Sequence, residues 1–125
     1  MDFVLLIISS VLLVGWGTAH LFPTRNVVRG FGEIGKDNQH IIRMEWIIEG
    51  ATLIFLGILI LIISIIDRTA MISRVVYWCV FGFLNVLSAI SLFTGFRIDF
   101  IPFKLCPVIF TSASVLILLG GIILP

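Results

Sequence analysis

The chain has 125 residues, 60% hydrophobic and 12% charged, with a formal net charge of +1 and a mean hydropathy of +1.24. A soluble domain is usually about 45–50% apolar and about 25% charged, so this composition argues against water, and for a bilayer, as the solvent of most of the surface. The small net charge and the lack of basic residues interleaved with aromatics argue against a nucleic-acid-binding face.

The chain opens MDFVLLIISS, with Asp2 and no Lys or Arg before Arg25. A secretory signal needs a basic start and a small-residue cleavage site, so the first segment is expected to stay in the mature protein. Four runs reach the roughly 20 apolar residues that a span requires: residues 3–22, 44–66, 72–94 and 101–124. Each must be helical, because a lone strand leaves its backbone groups unpaired in lipid. The expected fold class is an all-α membrane protein, a single domain over residues 1–125. Short connectors make it an antiparallel up-down bundle of four transmembrane helices.

Lysine and arginine set the expected orientation. Arg25, Arg29, Lys36 and Arg43 follow the first span, and Arg97 and Lys104 follow the third, against only Arg68 and Arg74 on the other side. Loops 23–43 and 95–100 are therefore expected in the cytoplasm and both termini outside, in a multi-pass protein of the cell (inner) membrane. The bilayer is its one firm partner. A homo-oligomer and a small-molecule or lipid ligand are open.

Along the first span, Gly15 and Ala19 form a small-xxx-small pair, as Ser91 and Gly95 do at the end of the third. Such pairs let helices approach closely. Trp16, Trp46, Tyr77 and Trp78 stand near span ends, where aromatic belts form. In the first loop, Thr24 is suited to cap a short helix. Val27, Val28, Phe31 and Ile34 then share a helical face, which makes the segment partly interfacial. Gly30, Gly32 and Gly35 weaken it as a helix, and FGEIG reads equally as a hinged loop. Asp37 or Asn38 can cap the second long helix, which starts near Gln39.

Glu45 and Glu49 lie one helical turn apart in MEWIIEG, and Thr52 continues their face. Two readings stand open. Both carboxylates can be solvated in the headgroup zone. Alternatively Glu49 faces the interior, where an ionisable group is costly and tends to be functional. Paired carboxylates repel unless a cation intervenes. His20, Arg25, Arg29, Arg43 and Arg97 gather at the same end. The candidate ligand-binding set is Glu45, Glu49, His20, Arg97, Asn85 and Thr52. Asn85, with Ser88 and Ser91 and then Thr111, Ser112 and Ser114, is expected to hydrogen-bond between helices or to extend a polar lining inward, with Ser9 and Ser10 in its outer half. His20, His40, Glu45 and Glu49 are chemically suited to metal. No His-Glu-x-x-His or Glu-x-x-His spacing is present, so no metal, no cofactor and no catalytic residue is assigned. Cys79 and Cys106 fall at opposite faces, too far apart to bridge, and read as small buried apolar residues.

GWGTAHLFP closing the first span, a soft loop, and MEWIIEG opening the second give a layout that resembles small bacterial or archaeal four-helix membrane proteins of the DoxX-like kind. The resemblance implies the four-span fold and no defined reaction. Three functions compete. The first is a bundle that binds or transports a cation, proton or small molecule through Glu49, similar in length and span count to small multidrug transporters, whose acid lies in the first span. The second is an accessory or assembly protein whose charged rim docks a partner. The third is a membrane enzyme acting on a lipid-like substrate, with the glutamates and His20 exchanging a proton.

Overall fold

The computed structural model describes residues 1–124. Among these the chain is helical with no strand: α1 (Asp2–Leu21), α2 (Thr24–Gly30), α3 (Lys36–Asp67), α4 (Met71–Phe93) and α5 (Ile101–Ile117). A 3₁₀ turn (Gly95–Arg97) follows α4, and a π-helical stretch (Leu118–Ile123) extends α5. Four helices, counting these extensions, are long and apolar enough to cross a membrane. Their limits fall close to the expected runs, except that α3 starts at Lys36.

Neighbouring long helices run antiparallel. Gly17 of α1 meets Gly50 of α3, Ser10 reaches Gly57, and Asp2 pairs with Arg68 just beyond α3. Ser9 of α1 faces Ala113 of α5. Ser88 of α4 faces Pro107 of α5. The packing is uneven: α1 has its broadest contact with α3 and a second with α5, α4 leans on α5, and α3 meets α4 only slightly. The core follows α1, with Leu6, Leu13, Leu53, Ile60, Leu84, Phe110 and Ile117 closed off from the surface.

Close approach of α1 and α3 is made by Gly17, Gly50 and Gly57, where an added Cβ would strike the opposing backbone. The expected Gly15 does not serve this role, since nothing lies within 4 Å of its Cβ position. Its side of α1 faces away from α3. Two serine hydroxyls stitch the same seams, Ser10 donating to the Gly57 carbonyl at 2.6 Å and Ser9 to the Ala113 carbonyl at 3.1 Å. Such bonds average about 0.6 kcal/mol each in lipid. Both serines are therefore spent on helix contacts.

Several local expectations are corrected. Thr24 does not cap α2: it is the first helical residue, and its hydroxyl donates back to the Leu21 carbonyl at 2.8 Å. The short helix stops at Gly30, and Gly32 takes a positive φ of 73° that a side chain would resist. The shared face therefore ends early, with Val27 and Val28 buried and Phe31 exposed. Gly35, with extended backbone, precedes α3, and neither Asp37 nor Asn38 caps it. Tyr77 and Trp46 are core residues and do not belong to a belt, while Trp78 is exposed. The Tyr77 hydroxyl meets Ser64 at 3.1 Å, and since Ser64 donates to the Ile60 carbonyl, the tyrosine is the donor. Both cysteines are free; Cys106 is buried, but Cys79 is exposed.

Candidate functional site

The loop ends of α1, α3 and α5 converge on His20. Its ring is 3% exposed. It stacks on Trp46 at 4.6 Å between centroids and meets Trp16 in a T-shaped arrangement at 5.7 Å. The Trp46 indole N–H donates to the His20 carbonyl, tying α3 to the end of α1. Nδ1 of His20 lies 3.3 Å from the Trp16 carbonyl. A carbonyl only accepts, so Nδ1 carries the hydrogen in that bond. Nε2 then points across to α3 and α5.

Nε2 lies 3.5 Å from Oε1 of Glu49. The two form an ion pair when the imidazole is protonated, yet Nε2 has no hydrogen-bond partner among the described residues. An orphaned buried ring nitrogen calls for an explanation. The third member is Cys106. The donor atoms of His20, Glu49 and Cys106 all fall within 4.8 Å of one another. The thiol points its weak donor at the Pro102 carbonyl, 3.4 Å away.

Two clefts flank Glu49. One, of about 390 Å³, is lined by Glu49, Cys106, Ser91, Thr94 and Phe103 among others. The other, of about 430 Å³, lies between α3 and α4, with Glu45, Glu49 and Thr52 facing Phe83 and Leu87, and with Val27 and Phe31 over its loop end. Phe103, edge-on to Trp46 at 5.4 Å, lines both.

The predicted residues thus divide. His20 and Glu49 come together. Glu45 and Thr52 line the wider cleft one turn to either side of Glu49, with Thr52 already bonded to the Ile48 carbonyl. Arg97 is exposed in the 3₁₀ turn and pairs with neither glutamate among the described residues. Asn85 is exposed and returns its amide to the Phe81 carbonyl of its own helix, so it extends no lining toward Glu49. Ser88 does bond between helices, to Pro107 and Thr111, as one of the two expectations held. Ser112 bonds within α5. Missed in the sequence were Cys106 and the Trp46–Phe103 pair.

Trp46 holds the site's frame. Trp46→Phe keeps the stacking surface and deletes the bond to the His20 carbonyl. It is expected to cost about 1 kcal/mol, read as a thermal midpoint a few degrees lower in detergent; an unchanged midpoint would refute the tie. No protein-family model, curated protein or solved structure matches this chain.

Proposed function

We propose that the chain crosses a membrane four times as an antiparallel bundle of the DoxX-like layout, and that it binds a small molecule or cation in the pocket around Glu49. Transport of that ligand or of a proton is the natural extension. Helix lengths support the spanning part. His20 lies eighteen residues beyond Asp2, and Glu49 eighteen before Asp67. At about 1.5 Å per residue that separation is about 27 Å, near the roughly 30 Å of hydrocarbon. The Asp2–Arg68 pair would mark one boundary, and His20, Glu49 and Cys106 would sit just inside the other. Loops 23–43 and 95–100, richer in Lys and Arg, would face the cytoplasm.

One observation carries the binding reading: a buried His20 nitrogen with no hydrogen-bond partner among the described residues, 3.5 Å from Glu49 where two clefts meet. An ionisable pair at that depth is expensive and is kept when it has a task. Polar groups are the minority on both cleft walls, which suits a ligand with one cationic group and an apolar body.

Native mass spectrometry of gently extracted protein tests this. Wild type is expected to carry a discrete bound mass that Glu49→Gln, of the same shape without the charge, loses. Identical bare spectra from both would sink the binding reading and leave the accessory role. The same spectra report the oligomeric state, and a strict monomer would count against transport through a dimer interface.

A further inference from the structure

We infer that His20 Nε2, a Glu49 oxygen and Cys106 Sγ form a site for a borderline divalent cation, best matched by zinc, with one coordination position open to the cleft. The inference rests on the pocket reading above and names the ligand class of that same site.

Three helices supply one donor each, nitrogen, oxygen and sulfur, within 4.8 Å of one another. A tetrahedral zinc with bonds of about 2.0–2.3 Å places neighbouring donors roughly 3.3–3.8 Å apart. The His20–Glu49 separation, 3.5 Å, is already in that range. The widest separation the three donors can have, 4.8 Å, exceeds that range, and half-buried Glu49 has more open space around it than buried His20 or Cys106 with which to close it.

The histidine is set up as a ligand. Metal-bound imidazoles usually give their other N–H to a carbonyl or carboxylate, which fixes tautomer and ring plane. Here Nδ1 faces the Trp16 carbonyl and the ring is clamped between Trp16 and Trp46. The nitrogen left over, Nε2, is the one without a hydrogen-bond partner. A lone pair so placed suits a cation.

Charge selects the ion. Thiolate and carboxylate together carry two negative charges, the neutral imidazole none. A divalent cation makes the complex neutral, which is what a low-dielectric site requires. A monovalent soft ion leaves it anionic. Hard magnesium or calcium prefers an all-oxygen shell. On binding, the Cys106 S–H bond breaks, its electron pair goes to the metal and its proton leaves to solvent.

Among the described residues no fourth His, Cys, Asp or Glu joins the group. Glu49 and Cys106 both line the cleft of about 390 Å³, so the vacant position faces space able to hold water or a small ligand. Structural zinc sites are closed by four protein ligands, whereas sites that act on a ligand keep one open.

The full chain in lipid nanodiscs, stripped with chelator, is titrated with zinc chloride and with cobalt chloride. One metal per chain is expected. Cobalt should give the near-ultraviolet thiolate charge-transfer band and strong visible bands of four-coordinate geometry. Cys106→Ala should lose the charge-transfer band and weaken zinc binding by about 100-fold or more, beyond the roughly 10–100-fold that losing a ligand's hydrogen-bond partner costs. Cys79→Ala should keep both signals. Circular dichroism checks that the variants fold, and Cys106→Ser, closer in size, replaces the alanine if it does not. Wild type that takes up no metal, or metal retained by Cys106→Ala, overturns the inference. Wild type without metal but with a Glu49-dependent organic mass overturns the metal alone; wild type with neither overturns the pocket as well.

Discussion

Gly17→Leu is expected to abolish the folded species, while Gly15→Leu, two residues away on the same helix, leaves it intact. A Cβ at position 17 would stand 2.6 Å from the Gly50 carbonyl oxygen and 2.9 Å from the Ile54 amide nitrogen. Both obstacles are backbone, so no side chain can turn aside. Overpacking usually costs about 1–3 kcal/mol and more when helices must separate. Separation here also breaks the Ser10–Gly57 bond and lifts Trp46 from the His20 carbonyl. At Gly15 nothing lies within 4 Å, and leucine, the better helix former, gains up to about 1 kcal/mol. Size exclusion after a heating series reads the difference. Equal midpoints for the two variants would mean that the α1–α3 seam is looser than the glycines imply.

Tyr77→Ala is the second large effect, expected to cost about 3–5 kcal/mol as other large-to-alanine core changes do. Tyr77 is fully buried at the end away from His20, where α4 and the π-helical turn meet. Gly121 lies directly on its ring, leaving no room for a Cβ. Its hydroxyl reaches Ser64, one of the few ties between α3 and α4. Tyr77→Phe removes that tie alone and should cost about 1 kcal/mol. A ratio of effects near one between the two variants would show that the hydroxyl, not the ring, holds the helices. Neither change should alter metal uptake, since both act at the far end.

The helices were legible because each is a long apolar run bounded by charge or proline, and length alone identifies such segments. The extra turns of α3 before Met44 were legible only roughly: Lys36 to His40 is polar, and nothing marks its first turn, since Gly35 and not a side chain starts it. Which residues meet was harder. His20, Glu49 and Cys106 could be assigned to one end of the molecule from span order. Their rotation about the helix axes could not, because the apolar surface runs all round each helix and gives no inward stripe. Cys106 therefore read as filler, though its level beside His20 and Glu49 was a usable signal. Arg97 failed for the same reason in reverse. It lies at the right end, but the 3₁₀ turn presents it outward. Asn85 misled because an amide in an apolar run suggests a partner across the bundle, when the carbonyl one turn back suffices.

The slight contact between α3 and α4 has a consequence for how anything reaches Glu49. Val27 and Phe31 cover the loop end of that cleft, so its free side is the flank between the two helices. In the four-span placement proposed above, that flank would open where the acyl chains meet the headgroups. A solute entering by that flank would first dissolve in the membrane, and its occupancy would then follow its lipid concentration. Two homologues that fit the pocket equally well but differ by one methylene would then differ about fourfold in occupancy at equal aqueous dose, the worth of roughly 0.8 kcal/mol of partitioning.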